Sequence, residues 1–323
     1  MATISTATIP MNSQCYREIH KSRVFFSLTC LLCLFVQSSC AERMQKSPVH
    51  MTARDYFDDE AILQFCESVD RKDAGVATRL THDSPEIHAV GKAGVTPLLW
   101  ALMRHDLLTF VRLLELGADP NIPLSEDLHV GVHLRKGDCV TFLVFSVVSD
   151  EFYESVLEHG GNVKLVRPWH HDSLLHEAAI FDIPGQHRRI TTLLIRGAEL
   201  NSYNGSGMTP VMHAVRFGKF VAALTLLENG ADYHLMQQEK PERLIHELIR
   251  IEMNHERSSQ PFTPEFYALR DWLEAHGESM AAARLDVQRW EKMRATLPVA
   301  EYIAGRTKER EANLKNASAV ESE

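Results

Sequence analysis

The sequence predicts an all-α solenoid of stacked helix–turn–helix units, and three observations predict it. The phrase GVTPLLWAL (94–102) returns as GMTPVMHAV (207–215). A second phrase, LLELGADPN (113–121), returns as LLIRGAELN (193–201) and LLENGADYH (226–234), with a worn copy, VLEHGGNVK, at 156–164. Thr96 to Asp119 and Thr209 to Asp232 both span 23 residues, so the internal geometry of the two best copies is kept. A long fixed period marks a supersecondary unit that buries its apolar faces only against its neighbours.

Each residue type in the phrases suits its place in such a unit. Thr96 and Thr209 are helix caps, and Pro97 and Pro210 stand at the first helical position, where a missing N–H costs nothing. Gly117 and Gly230 end the second helix where a left-handed residue is needed, and Asp119 and Asp232 open the turn to the next unit. His105 stands where Gly218 stands in the later copy; histidine tolerates the left-handed region better than a branched residue does.

With their T-P-L-H-x-A-like opening and two-helix length, these phrases resemble the ankyrin-repeat family, whose unit is about 33 residues. The resemblance covers most of 55–277. A capping unit is expected at 55–90, repeats at 91–124, 125–168, 169–204 and 205–241, and a final unit at 242–277. Thr209 lies 113 positions after Thr96, about 14 more than three such units need. The surplus falls mainly in 121–138 and 181–189, where loops of a solenoid take insertions. Beyond the repeats, 278–323 reads as a helical extension with a break near Pro298 and a frayed end, NASAVESE.

The resemblance also implies where a partner would bind. Ankyrin proteins commonly use the inner helices and the finger-like turns on the concave side. In the helix from Pro97, Leu98, Ala101 and Leu102 share one face at 100° per residue, and Trp100 points about 160° away from Leu98. The same slot holds Phe145, Glu177 and His213 in later units. The expected partner-binding set is therefore Trp100, Arg104, Phe145, Phe181, His213, Arg216 and Phe217, with Tyr203 from the finger turns. Aromatics and arginine are the residues that interface hot spots favour. The competing reading is that Trp100 is buried against the neighbouring unit's helix, and that Phe181 and Phe217 are buried at helix ends. In the family, the phrase histidine ties neighbouring units; His176 and His246 occupy that position, while Leu99 and Met212 have abandoned it.

Composition narrows the chemistry. The formal charge is -9, and the first 41 residues, with Arg17, Lys21 and Arg23 against Glu18, are net positive, so the remainder is more acidic still. Such a surface argues against nucleic acid or anionic lipid as the main ligand. No GxSxG, HExxH, glycine-rich phosphate loop or CxxC outside the N-terminal segment appears, so the chain reads as a non-enzyme with no cofactor. Among seventeen histidines, His170, His171 and His176 form HHxxxxH. Adjacent residues face apart and His176 already has a structural place, so no metal is expected.

VFFSLTCLLCLFV (24–36) is a 13-residue uncharged run behind Arg17, Lys21 and Arg23. It falls short of the ~20 residues of a spanning helix but suits the apolar region of a secretory signal peptide, assigned to 1–41. Ser39 and Ala41 fit cleavage before Glu42. The alternative is lipoprotein processing at Cys40, although Gln37 departs from the lipobox pattern. Met11 is a second possible start. Cleavage after Ala41 leaves Cys66 and Cys139 of the six cysteines, and Cys66 reads as a buried thiol. Periplasmic location is expected, with membrane attachment only through Cys40. Exported bacterial ankyrin proteins include immunity partners of type VI secreted lipase-type effectors. The resemblance thus implies a protein partner, a secreted toxin or effector held by occlusion; a structural or stress-protective envelope lipoprotein is the alternative.

Overall fold

Two parallel rows of helices build the molecule. The structure, a computed structural model, describes residues 52–130, 133–146, 149–181, 185–255 and 261–320. After a helical turn at Ala53–Tyr56, the cap contributes α1 (Glu60–Asp70) and α2 (Val76–Arg79). The units that follow are α3 (Pro97–Met103) with α4 (Leu107–Glu115), α5 (Val140–Leu143) with α6 (Asp150–Glu158), α7 (Leu174–Ile180) with α8 (Gln186–Ile195), and α9 (Pro210–Arg216) with α10 (Phe220–Glu228). The final pair is α11 (Leu244–His255) and α12 (Pro264–Ala275), followed by α13 (Met280–Thr296) and α14 (Val299–Val320). In the inner row α3 packs on α1 and α5, and α9 on α7 and α11. In the outer row α4 packs on α2 and α6, and α10 on α8 and α12. This is the all-α solenoid of helix–turn–helix units that the repeated phrases predict.

Local signals account for most element ends. The Thr96 hydroxyl accepts from the Leu99 amide at 3.1 Å, and Asp59 and Asp106 cap α1 and α4 in the same way. Thr209, the matching residue of the later copy, has no such bond, and its buried hydroxyl oxygen has no partner. Gly117 and Gly230 lie at φ of +100° and +89° past the second helices, and His105 adopts +51° where Gly218 has +69°. The second unit's inner helix is only one turn long and tightens into a 3-10 turn at Val144–Ser146. Its VTFLV run is rich in β-branched residues, which lose side-chain freedom in a helix.

The longer insertion folds back on itself as a two-stranded hairpin, β1 (Leu128–His129) against β2 (His133–Leu134), pairing Leu128 with Leu134. α13 joins the inner row beside α11, and after the break at Pro298 α14 runs on through Val320. One apolar core runs from Ala53 to Leu273, and a second, smaller cluster joins Ile245 and Ile249 to Ala283, Val287 and Trp290. No helix among the described residues is long and apolar enough to cross a membrane; the apolar run at 24–36 and Cys40 lie outside the described residues.

Candidate partner-binding face

The fingers that lead into the inner helices are tied to one another by backbone hydrogen bonds. Ser125 N donates to the Ala93 carbonyl at 2.9 Å, Gly205 N to His170 at 2.7 Å, and Gln238 N to Gly207 at 3.1 Å. Gly205 permits its contact because a Cβ there would meet the His170 carbonyl oxygen at 2.8 Å. Side chains strengthen the ledge: the Tyr203 hydroxyl donates to the Met236 carbonyl at 2.8 Å, and Asn204 Nδ2 to Asp172 at 2.8 Å.

Several of the residues expected to form an exposed strip are interior instead. Trp100 is fully buried. Its indole N–H donates to Asp70 Oδ1 on α1 at 2.9 Å, and its ring meets Tyr56 and Phe57 edge-on at 6.4 and 6.3 Å. Every residue of α3 is buried, because the helix has α1 on one side, α5 on the other and α4 behind it. A one-face amphipathic reading fails for a helix packed on three sides. Phe145 is likewise fully buried, edge-on to Tyr153 at 5.0 Å. His213 is buried between His176 and Phe217, and burial holds its imidazole down at about 4. These three corrections share a cause: the slot is closed over by neighbouring helices, α1 for Trp100, α6 for Phe145 and α7 for His213.

Arg104 is mostly covered as well, with Nε 2.6 Å from Asp70 and the guanidinium 4.8 Å over Trp100. Arg216, half-exposed, clamps the buried Glu247 of the next unit through two bonds of 2.6 and 3.1 Å. Glu177 occupies the corresponding slot two units earlier, 2.8 Å from Arg167, which also pairs with Asp138. Burial pushes the Glu177 carboxyl up to about 7 despite that arginine. The inner row is thus joined by arginine–carboxylate clamps, and buried pairs of this kind are costly to break by removing one partner.

The phrase histidines act as ties. His176 Nδ1 meets the Ser173 N–H and hydroxyl, and Nε2 lies 3.0 Å from the Met208 carbonyl of the next unit. His246 accepts from Arg243 N at 2.9 Å and faces Asp286 of α13. His170 instead packs edge-on against Trp169, and His171 is exposed with a left-handed backbone, so the HHxxxxH residues point to three different surroundings. Cys66 and Cys139 are both buried free thiols, and burial raises the Cys66 thiol to about 12.

Phe181, Tyr203 and Phe217 remain half-exposed at the rim of the inner helices and fingers, beside Arg216. A further group escaped the sequence reading. Arg135, from the insertion, lies 4.2 Å over the half-exposed Trp169 of the next finger, with His170 alongside. The sequence signal is PWHH at 168–171, which lies within the finger closed by the bond from Arg167 N to the Asp172 carbonyl.

No family model matches the chain, and no curated protein does. Among solved structures, an ankyrin repeat domain from Acinetobacter baumannii AYE is similar at 18% identity over 64% of this chain and 95% of that one, with a TM-score of 0.49. A chain in the structure of Bd0816 predatory endopeptidase from Bdellovibrio bacteriovorus in complex with immunity protein Bd3460 is similar at 18% identity, covering 66% and 99%, with a TM-score of 0.48. The ankyrin repeat domain of Bcl-3 is similar at 17% identity, covering 61% and 86%, with a TM-score of 0.48.

Proposed function

We propose that the chain is an exported, non-enzymatic binding module that grips another protein along the finger ledge and the adjoining rim of the inner helices. The observation that carries this reading is a set of half-exposed aromatics beside arginines: Trp169 with Arg135, and Tyr203, on fingers hydrogen-bonded to one another, and Phe217 with Arg216 at the end of α9. Aromatic and arginine anchors on a rigid support lose little freedom on binding. Phe181 belongs to the same rim. Trp100, Phe145 and His213 support it from within and do not touch the partner.

At the finer level, the partner is a secreted antibacterial effector of the lipase type, neutralised when the ledge covers its catalytic mouth. The signal-like segment before Glu42 and the family resemblance support this reading. Co-expression of such an effector in the periplasm with and without this chain tests it: protection and a stable complex are expected, and neither rescue nor complex would sink it. Trp169→Ala and Phe217→Ala should each weaken the complex by about 30-fold or more, the range of a hot spot, with thermal unfolding little changed. A second reading, an envelope lipoprotein, rests on Cys40 following Ser38 and Ser39; membrane fractionation of Cys40→Ser tests it.

A further inference from the structure

α14 packs no apolar face on the core, its Val299, Ile303 and Leu314 being exposed, and such a helix owes its place to specific contacts. Among its residues with described side chains, Arg306 alone is buried, at 3% exposure. Arg306 Nη2 donates to Glu242 Oε1 at 2.5 Å, and its guanidinium lies 3.8 Å over Trp290 of α13. One turn on, Glu309 accepts from the Trp290 indole N–H at 2.9 Å and from Arg289 at 2.6 Å. Arg310 Nε donates to the Gln237 carbonyl at 3.0 Å.

Gln237 and Glu242 frame the fifth finger, closed by a 2.8 Å bond from Gln237 N to the Glu242 carbonyl. The Gln237 side chain donates to Glu247, the carboxylate that Arg216 clamps. The preceding carbonyl, Met236, accepts from the Tyr203 hydroxyl at 2.8 Å, so the Arg310 contact lies one residue from the point where the fourth finger rests on the fifth. α14 therefore lies against the fifth finger, beside the point where Tyr203 rests on it.

We propose that α14 is a latch over the fifth finger, held mainly by Arg306 and Arg310, and that it must lift before a partner engages that finger and the adjoining Tyr203. The part of this inference that names what the latch covers rests on the binding reading given above. α13 need not follow when α14 lifts, because Ala283, Val287 and Trp290 are held by their own cluster with Ile245 and Ile249. The hinge is Leu297–Pro298, between the two helices.

Amide hydrogen exchange of the full chain, followed by mass spectrometry, tests the latch without any partner. In the wild type, residues 302–315 are expected to exchange at least tenfold faster than α9 and α10, as a unit that opens on its own. In Arg306→Ala, residues 302–315 and the finger 236–242 should exchange at least tenfold faster still, with α9 and α10 unchanged. Arg310→Ala should give the same pattern more weakly, and it keeps the test open if Arg306→Ala fails to fold.

Three results would overturn the proposal: wild-type α14 exchanging as slowly as α9; variants that free α14 without exposing the finger; or loss of protection throughout α11 and α12, which would make α14 an integral cap. Failure of the binding reading leaves these rates as they are, so the two can fail separately.

Discussion

Replacing Trp100 with alanine removes a fully buried indole, two edge-on ring contacts and the hydrogen bond to Asp70. The expected cost is about 3–5 kcal/mol of stability, measured by urea unfolding, and a loss under ~1 kcal/mol would contradict the packing described. Phe217→Ala, at a half-exposed rim position, should cost much less while weakening a complex more. Arg104 and Arg216 are poor probes of binding, because each pairs with a carboxylate of a neighbouring unit. Truncating either leaves that carboxylate without its partner and mixes stability into the affinity. A tryptophan set apart from the apolar stripe of its helix was legible as unusual in the sequence. Its destination was not, because the stripe reports one buried face and says nothing of the neighbours that bury the others.

At the scale of an element, α13 extends the inner row yet belongs to a separate small core. Its Trp290 packs with Ile245, Ile249, Ala283 and Val287, tilts over His246 at 4.8 Å and carries Arg306 on its face. Trp290→Ala should therefore loosen α11, α13 and α14 and leave the units before them intact, since a repeat array unfolds through its nearest-neighbour contacts. Hydrogen exchange checks this: protection is lost in α11, α13 and α14 and retained in α3 to α8. Uniform loss along the chain would mean that the two cores are one cooperative unit. The helices of the repeats could be read from caps, prolines and glycines, because those signals are local. The shortened α5 and the β1–β2 hairpin could not: the inserted segment carries no period, and its strands exist only through their pairing.

Across the whole molecule, buried titrating groups set opposing dependences on pH. His213 and His246 are both held at about 4 by burial, below the ordinary imidazole value of 6.5. The unfolded chain takes up protons there that the folded chain refuses, so stability falls as pH drops from 6.5 towards 4. Glu177 has the opposite sign. With its carboxyl raised to about 7, the folded chain keeps a proton that the unfolded chain releases near 4.5, so its contribution falls as pH rises from 4.5 to 7. Burial alone would raise Glu242, but Arg250, Lys240 and Arg306 hold it down at about 2, so its support is lost only as pH drops below 4.5. The melting temperature should thus fall on acidification below pH 6.5, and more steeply in Glu177→Gln, which lacks the opposing group. An equal or shallower slope in that variant would show that Glu177 titrates normally. By itself the sequence determined that this chain stacks two-helix units, because capping, helix termination and apolar spacing are written in residues close along the chain. Only the tertiary structure decided which side chains of the inner row are buried by neighbours, which remain on the ledge, and that α14 lies against it. Those outcomes depend on contacts between residues 30 to 73 positions apart, and no local pattern encodes them.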